Sequence, residues 1–217
     1  MFDIFTNHLD LWSEALLGTL ILFFGGALLA LVLGFIVGAM RVSPVPIARA
    51  VGAAYVNLVR NTPLTLVFFI FVFAVPVLFP MGRTDYLLLG VLALGVYTAT
   101  YVAEVLRSGI NTVPVGQAEA ARAIGLPFGQ VMTLIVLPQA ARAVVPPMMS
   151  VLIALLKNTT VAAGFSAVNL GIIRANMSER GENAMEVLIW VAIVFIVLVL
   201  LLSWVQNALE RHWKVAR

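Results

Sequence analysis

EALLGTLILFFGGALLALVLGFIVGAM, residues 14–40, carries no charge after Glu14 over a length that exceeds the roughly 20 residues a helix needs to cross a bilayer. Gly18, Gly25, Gly26, Gly34 and Gly38 interrupt its Leu, Ile and Phe side chains. Small residues spaced in this way let neighbouring helices approach closely in lipid. The stretch reads as a packed transmembrane helix. A secretory signal would open with basic residues and close on a small-residue cleavage site, whereas Asp3, Asp10 and Glu14 precede this run.

The rest of the chain agrees. Of 217 residues, 62% are hydrophobic and 11% charged, with a mean hydropathy of +1.07, outside the range of soluble domains. An all-α integral membrane protein is expected, a single transmembrane domain over 1–217 with five spans near 14–40, 52–80, 86–106, 146–166 and 187–207. Cysteine is absent, and His8 and His212 are too few for a histidine-based metal site. The net charge of +3 does not call for nucleic acid, because basic residues collect in the cytoplasmic loops of membrane proteins.

Orientation follows from that same bias. With the N-terminus outside, the inner side receives Arg41, Arg49, Arg107, Arg122, Arg142, Arg211, Lys214 and Arg217, and the outer side only Arg83, Arg174 and Arg180. The C-terminus and the segment 108–140 are then cytoplasmic. Asp3, Asp10, Glu14, Asp85, Glu179, Glu182 and Glu186 fall outside.

Ionisable groups at membrane depth are costly, and they face a bundle interior or a water-filled cavity. In Lys157-Asn158-Thr159-Thr160 a charge and three hydrogen-bonding side chains interrupt the fourth span. If Pro146 and Pro147 mark the start of that span, ten residues at 1.5 Å each put Lys157 roughly 15 Å deep. A midplane ammonium suits an anionic group such as an amino-acid carboxylate; the alternative is a lysine paired with an acid of a neighbouring helix. In Arg60-Asn61-Thr62-Pro63 the proline removes a backbone donor, which predicts a local break in the second span. Arg60 would there either meet substrate or snorkel to the inner interface. In the third span Tyr97, Tyr101, Glu104 and Ser108 share a face, with Tyr97, Thr100 and Tyr101 as candidate cavity lining and Glu104 with Arg107 as an i,i+3 pair.

Between spans three and four lies Gly116-Gln117-Ala118-Glu119-Ala120-Ala121-Arg122-Ala123-Ile124-Gly125. Pro114 ahead of it, Gly125 at the position of a left-handed cap and Pro127 beyond predict a helix of about ten residues, too short and polar to cross a bilayer. It reads either as a solvated connector or as a docking element with a small-residue surface. The chain holds two lysines, neither after a glycine-rich loop, so it has no P-loop; nor does it show a hydrolase or metalloprotease signature. A transport or scaffold protein without a catalytic site is expected. Five spans without a visible inverted repeat weigh against a self-contained secondary transporter. An ATPase-independent channel or a membrane scaffold remain rivals.

Arg60-Asn61-Thr62-Pro63-Leu64, Tyr101 to Ile110, Gly116 to Gly125, Leu137-Pro138-Gln139-Ala140 with Arg142, Pro146 and Lys157-Asn158-Thr159 stand in an order and spacing that resemble the permease subunits of bacterial ATP-binding cassette importers for polar amino acids. The likeness covers nearly the whole chain and implies residence in the bacterial plasma membrane. It implies that Gly116, Glu119, Ala120, Ala121, Arg122 and Gly125 form a coupling helix seated on an ATPase subunit. It also implies the partners: an ATPase dimer that binds ATP and Mg, a second permease, more often a paralogue than a copy, and an external binding protein. No cofactor is implied in this chain. Asn158 stands where permeases for basic amino acids often carry an acid, which points to an acidic or neutral substrate. Residues 40–45 and 60–67 look most like actinobacterial glutamate permeases, so glutamate comes first and glutamine or aspartate next. Lys157, Asn158, Thr159 and Thr160 are then expected around a substrate carboxylate, with Arg60, Asn61, Thr62, Tyr97, Thr100 and Tyr101 nearby.

Overall fold

The computed structural model describes residues 3–79 and 84–212; Arg83, Lys214 and Arg217, used in the orientation argument, lie outside the described residues. Among the described residues every regular element is helical. After a short turn, Asp3–Thr6, come α1 (Leu9–Val42), α2 (Pro46–Arg60), α3 (Leu64–Leu78), α4 (Tyr86–Asn111), α5 (Val115–Ala123), α6 (Phe128–Phe165), α7 (Ile173–Glu179) and α8 (Ala184–His212). Four of them, α1, α4, α6 and α8, are long and apolar enough to cross a membrane, and α2 with α3 makes a fifth if the bent pair counts as one span.

The glycines of α1 explain its packing. A Cβ on Gly25 would meet Val91, one on Gly34 would overlap Val102, and one on Gly38 would touch Leu106. The offset between partners is nearly constant and both numbers rise together, so α1 and α4 run parallel at close range. Segment 43–85 must therefore carry the chain back along the length of α1. Gly109 lies against Val144 and Gly90 near Ala162, a falling relation that makes α6 antiparallel to α4.

The expected break at Asn61-Thr62-Pro63 is present, but the second span is not one helix near 52–80. α2 begins at Pro46 and meets α3 at 99°. Pro63 has no N–H and turns the backbone extended, so α3 restarts from its carbonyl, which accepts from the amides of Leu66 and Val67. The fourth span differs as well. Its helix begins at Phe128, with Pro146 and Pro147 inside it and Lys157 in its last α-helical turn. The prolines are tolerated in the interior because neighbouring helices support the span. Pro146 is therefore not the start of the span and does not set the depth of Lys157. Two π-helical turns, Ile70–Ala74 and Met132–Val136, precede Pro76 and Pro138; in each the next amide donates five residues back, widening the helix ahead of the ring.

Three apolar clusters lie in series. The central one joins Leu22, Phe68, Leu89, Leu94 and Leu155. One end is closed by Trp12, Ala15, Leu170, Ile173, Met177 and Val187, the other by Ala121, Val131 and Val136. At the first end the loop 166–171 is pressed onto α1: Thr19 Oγ1 accepts from the Leu170 amide at 2.9 Å, and only glycine fits at position 18 beneath the Val168 carbonyl.

Candidate functional site

Midway along α4 the side chains turn polar. Tyr101 stands roughly 22 Å from the start of α4 and roughly 15 Å from its end, at 1.5 Å per residue. Its hydroxyl shares a 2.9 Å hydrogen bond with that of Tyr97, one turn away on the same face. The guanidinium carbon of Arg60, at the end of α2, lies 5.1 Å from the centroid of the Tyr101 ring, a cation–π distance. Tyr97, Thr98, Tyr101, Val151, Ala154, Leu155 and Asn158 enclose a cavity of about 260 Å³ between α4 and α6. That volume suits a solute smaller than the drug-sized ligands of typical pockets.

α2 is held against this wall at two points. Tyr55 donates its hydroxyl to the Val96 carbonyl at 2.7 Å, and Arg60 stacks on Tyr101. The 99° bend directly after Arg60 leaves the guanidinium at the bend, not on a continuous helix. Arg60 has no carboxylate partner among the ion pairs of the described residues. Glu104 is engaged elsewhere: one oxygen accepts from Arg41 of α1, the other from Arg107 at 3.0 Å. The i,i+3 pair read from sequence is therefore present, and Arg41 makes it a three-residue network that ties α1 to α4.

The Lys157 to Thr160 run does not converge on one point. Asn158 lines the tyrosine cavity. Lys157 and Thr160 instead line a groove of about 440 Å³ against Phe195, Ile196, Val199 and Leu200 of α8. Thr159 is buried and donates to the Leu156 carbonyl, and Thr160 donates to that of Lys157. Thr100 donates to the Tyr97 carbonyl and Thr62 to that of Leu58, so both hydroxyls serve their own helices. Asn61 is exposed at the bend. Thr98, Val151, Ala154 and Leu155 complete the cavity without having been singled out in sequence; only the α4–α6 register identifies them.

The short helix predicted between the third and fourth long spans is α5, closed as expected. Gly125 has φ +88°; its amide donates to Arg122 and that of Leu126 to Ala121, the two bonds of a Schellman cap. Gly116, Glu119, Ala120, Arg122 and Gly125 are exposed. Ala121 is only 3% exposed and packs on Val131 and Val136, so it faces this chain's own core and is closed to a partner. Gln117 and Gln139 share a 2.6 Å hydrogen bond that seats α5 on α6. Val115 and Ile124 stand more than 70% exposed at its ends.

The family described as the binding-protein-dependent transport system inner membrane component matches residues 30–215. The chain is 46% identical over 178 residues to the glutamate transport system permease protein GluC of Corynebacterium glutamicum, covering 77% of each. It is 35% identical over 213 residues to the probable glutamine ABC transporter permease protein GlnM of Bacillus subtilis, covering 98% of this chain and 95% of that one. The crystal structure of an amino acid ABC transporter with histidines contains a chain of the same fold, with a TM-score of 0.88 at 26% identity over 95% of this chain and 96% of that one. A bent helix pair, parallel glycine-packed spans and a polar centre thus accompany full-length similarity, and the chain belongs to the inner membrane components of binding-protein-dependent transport systems, as an amino-acid ABC permease of the bacterial inner membrane.

Proposed function

We propose that this chain forms the translocation pathway of an ATP-driven importer of glutamate. The observation that carries the reading lies halfway along α4, where Tyr97, Tyr101 and Asn158 line a cavity and Arg60, without a carboxylate partner among the described residues, stacks on the Tyr101 ring. Unpaired charge at this depth calls for an anion. A substrate carboxylate would take the guanidinium, and the tyrosine hydroxyls and the Asn158 amide would serve the remaining polar atoms. The similarity to a glutamate permease supports the choice. Asn158 and the similarity to a probable glutamine permease favour glutamine as the second substrate.

In this reading the chain makes five crossings, with α2 and α3 as one, the N-terminus outside and α5 in the cytoplasm. The charges support it: Arg41, Arg49, Arg107 and Arg122 stand at the α5 end, Asp10, Glu14, Asp85 and Glu182 at the other. ATP and Mg bind to an ATPase dimer seated on α5 through Glu119, Ala120, Arg122 and Gly125, while this chain has no ATPase site. An external binding protein delivers substrate, and ATPase closure shifts the population between outward- and inward-open states.

Uptake by the whole complex in proteoliposomes tests this. Unlabelled glutamate and glutamine should suppress labelled glutamate uptake while arginine does not. Arg60→Ala, which removes a charge-assisted contact of about 1.5–3 kcal/mol, should lower uptake at limiting substrate about ten- to hundredfold. Unchanged uptake by that variant would remove Arg60 from the site, and competition by arginine would remove the acidic substrate.

A further inference from the structure

At the end of the bundle that carries the loop 166–171 lies a cleft of about 540 Å³, well apart from the tyrosine cavity. Helix register makes it. The contacts that pair Gly25 with Val91 and Gly38 with Leu106 bring Gly18 level with the first turn of α4, so α1 begins about ten residues, roughly 15 Å, before α4 does. α1 is therefore the wall of a step whose floor is the start of α4 and whose back is the loop at Ser166 and Val168.

Two carboxylates line this step, Glu14 on the wall and Asp85 at the floor. Asp85 Oδ1 accepts from the amides of Leu87 and Leu88 and so caps α4, which leaves its other oxygen without a partner among the described residues. Glu14 is exposed and takes part in no ion pair there. Among the described residues no basic side chain lines the cleft.

Its mouth opens on lipid-facing surface. Leu17 and Ile21 line it, and Phe24 and Leu28 continue the same stripe of α1 at spacings of four, three and four, each more than 40% exposed. Tyr86, also in the lining and 41% exposed, is an aromatic of the kind that marks the headgroup level of a bilayer.

We propose that the cleft holds a phospholipid with a primary-amine headgroup. Its ammonium sits between Glu14 and Asp85, the Thr84 and Ser166 hydroxyls serve its phosphate, and an acyl chain follows the stripe from Leu17 to Leu28. The combination of surfaces selects this occupant. A soluble cation would answer the acids and leave the apolar wall bare, and an acyl chain alone would do the reverse. An anionic headgroup is repelled, and a quaternary ammonium brings the charge but no N–H to donate.

The proposal needs only that the chain resides in a membrane, and it is independent of which amino acid is carried. Native mass spectrometry of the detergent-purified chain, titrated with dioleoyl phosphatidylethanolamine, phosphatidylcholine or phosphatidylglycerol, tests it. The first phosphatidylethanolamine should bind about tenfold more tightly than either other lipid, the worth of one charge-assisted contact. Glu14→Gln should abolish that preference, whereas Asp10→Asn, which removes an exposed acid of the same helix outside the cleft, should keep it. Phosphoethanolamine at millimolar concentration carries the headgroup without chains and should leave the lipid bound. Equal binding of the three lipids would overturn the proposal, as would a preference that survives Glu14→Gln or is lost equally in Asp10→Asn. Displacement by phosphoethanolamine would make the cleft a site for a soluble amine and overturn the lipid.

Discussion

At Gly18 a single methyl group would occupy the place of the Val168 carbonyl oxygen, and at Gly34 it would run into the branch of Val102. These are backbone and side-chain-stem contacts, which do not yield as the far end of a flexible side chain does. Gly18→Ala should therefore destabilise the protein by about 1–3 kcal/mol, the usual cost of overpacking. Thermal unfolding of the detergent-purified chain checks it, with Gly129→Ala as the reference, since a Cβ there meets nothing within 4 Å. A melting temperature no lower for Gly18→Ala than for Gly129→Ala would contradict the packing described. Residue by residue, the glycine stripe was legible in sequence because small residues at helical spacing have few other uses in a long apolar helix. The partner of Arg60 was not legible, because a guanidinium has the same local sequence whether it stacks on an aromatic ring or reaches the interface.

Among the elements, α5 is the best defined by its own residues. Pro114 opens it, and Gly125, at φ +88°, allows the two capping bonds that end it. A Cβ at Gly125 meets nothing within 4 Å, so any penalty there is one of backbone conformation alone, about 1–2 kcal/mol for an ordinary residue in the left-handed region. Gly125→Val should leave the chain in the membrane yet lower transport per ATP hydrolysed in the reconstituted complex. Gly125→Asn, which tolerates that region better, should retain more coupling. Equal coupling ratios in Gly125→Val and the parent would argue against α5 as the docking element. By contrast α6 starts well before the position its tandem prolines suggest. Tandem prolines usually stand at a helix entrance, but here they lie inside a span whose register is held by α4 and α8, and Lys157 falls in its last α-helical turn.

For the whole molecule, the parallel course of α1 and α4 is the organising relation. It obliges the bent α2–α3 pair to carry the chain back, and it sets one end of the bundle with α5 and most arginines against another with the loop 166–171 and most acids. If α5, the polar helix at the basic end, docks an external ATPase as proposed, the two should copurify. Mild-detergent purification from native membranes should recover an ATP-hydrolysing partner with the parent chain, and a deletion of 115–125 should lose it while α1 and α4 remain inserted. Recovery of the ATPase with the deleted chain, or ion conductance by the parent chain alone in planar bilayers, would favour a channel or another docking surface instead.

Taken alone, the sequence determined that the chain lives in a membrane, that its first span packs through glycines, that the second breaks at Asn61-Thr62-Pro63, and that a short capped helix lies between the third and fourth long spans. Each of these rests on local physics: the cost of desolvating backbone and charge, the missing donor of proline, the left-handed tolerance of glycine. The tertiary structure alone decided that Arg60 meets Tyr101, that Arg41 joins Glu104 and Arg107, that Ala121 is closed to partners, and that Lys157 and Asn158 look into different cavities. Successive residues of a helix point about 100° apart whatever their neighbours are, as its 3.6-residue turn requires. What stands in each direction depends on the packing of helices far apart in the chain, and no local stretch encodes that.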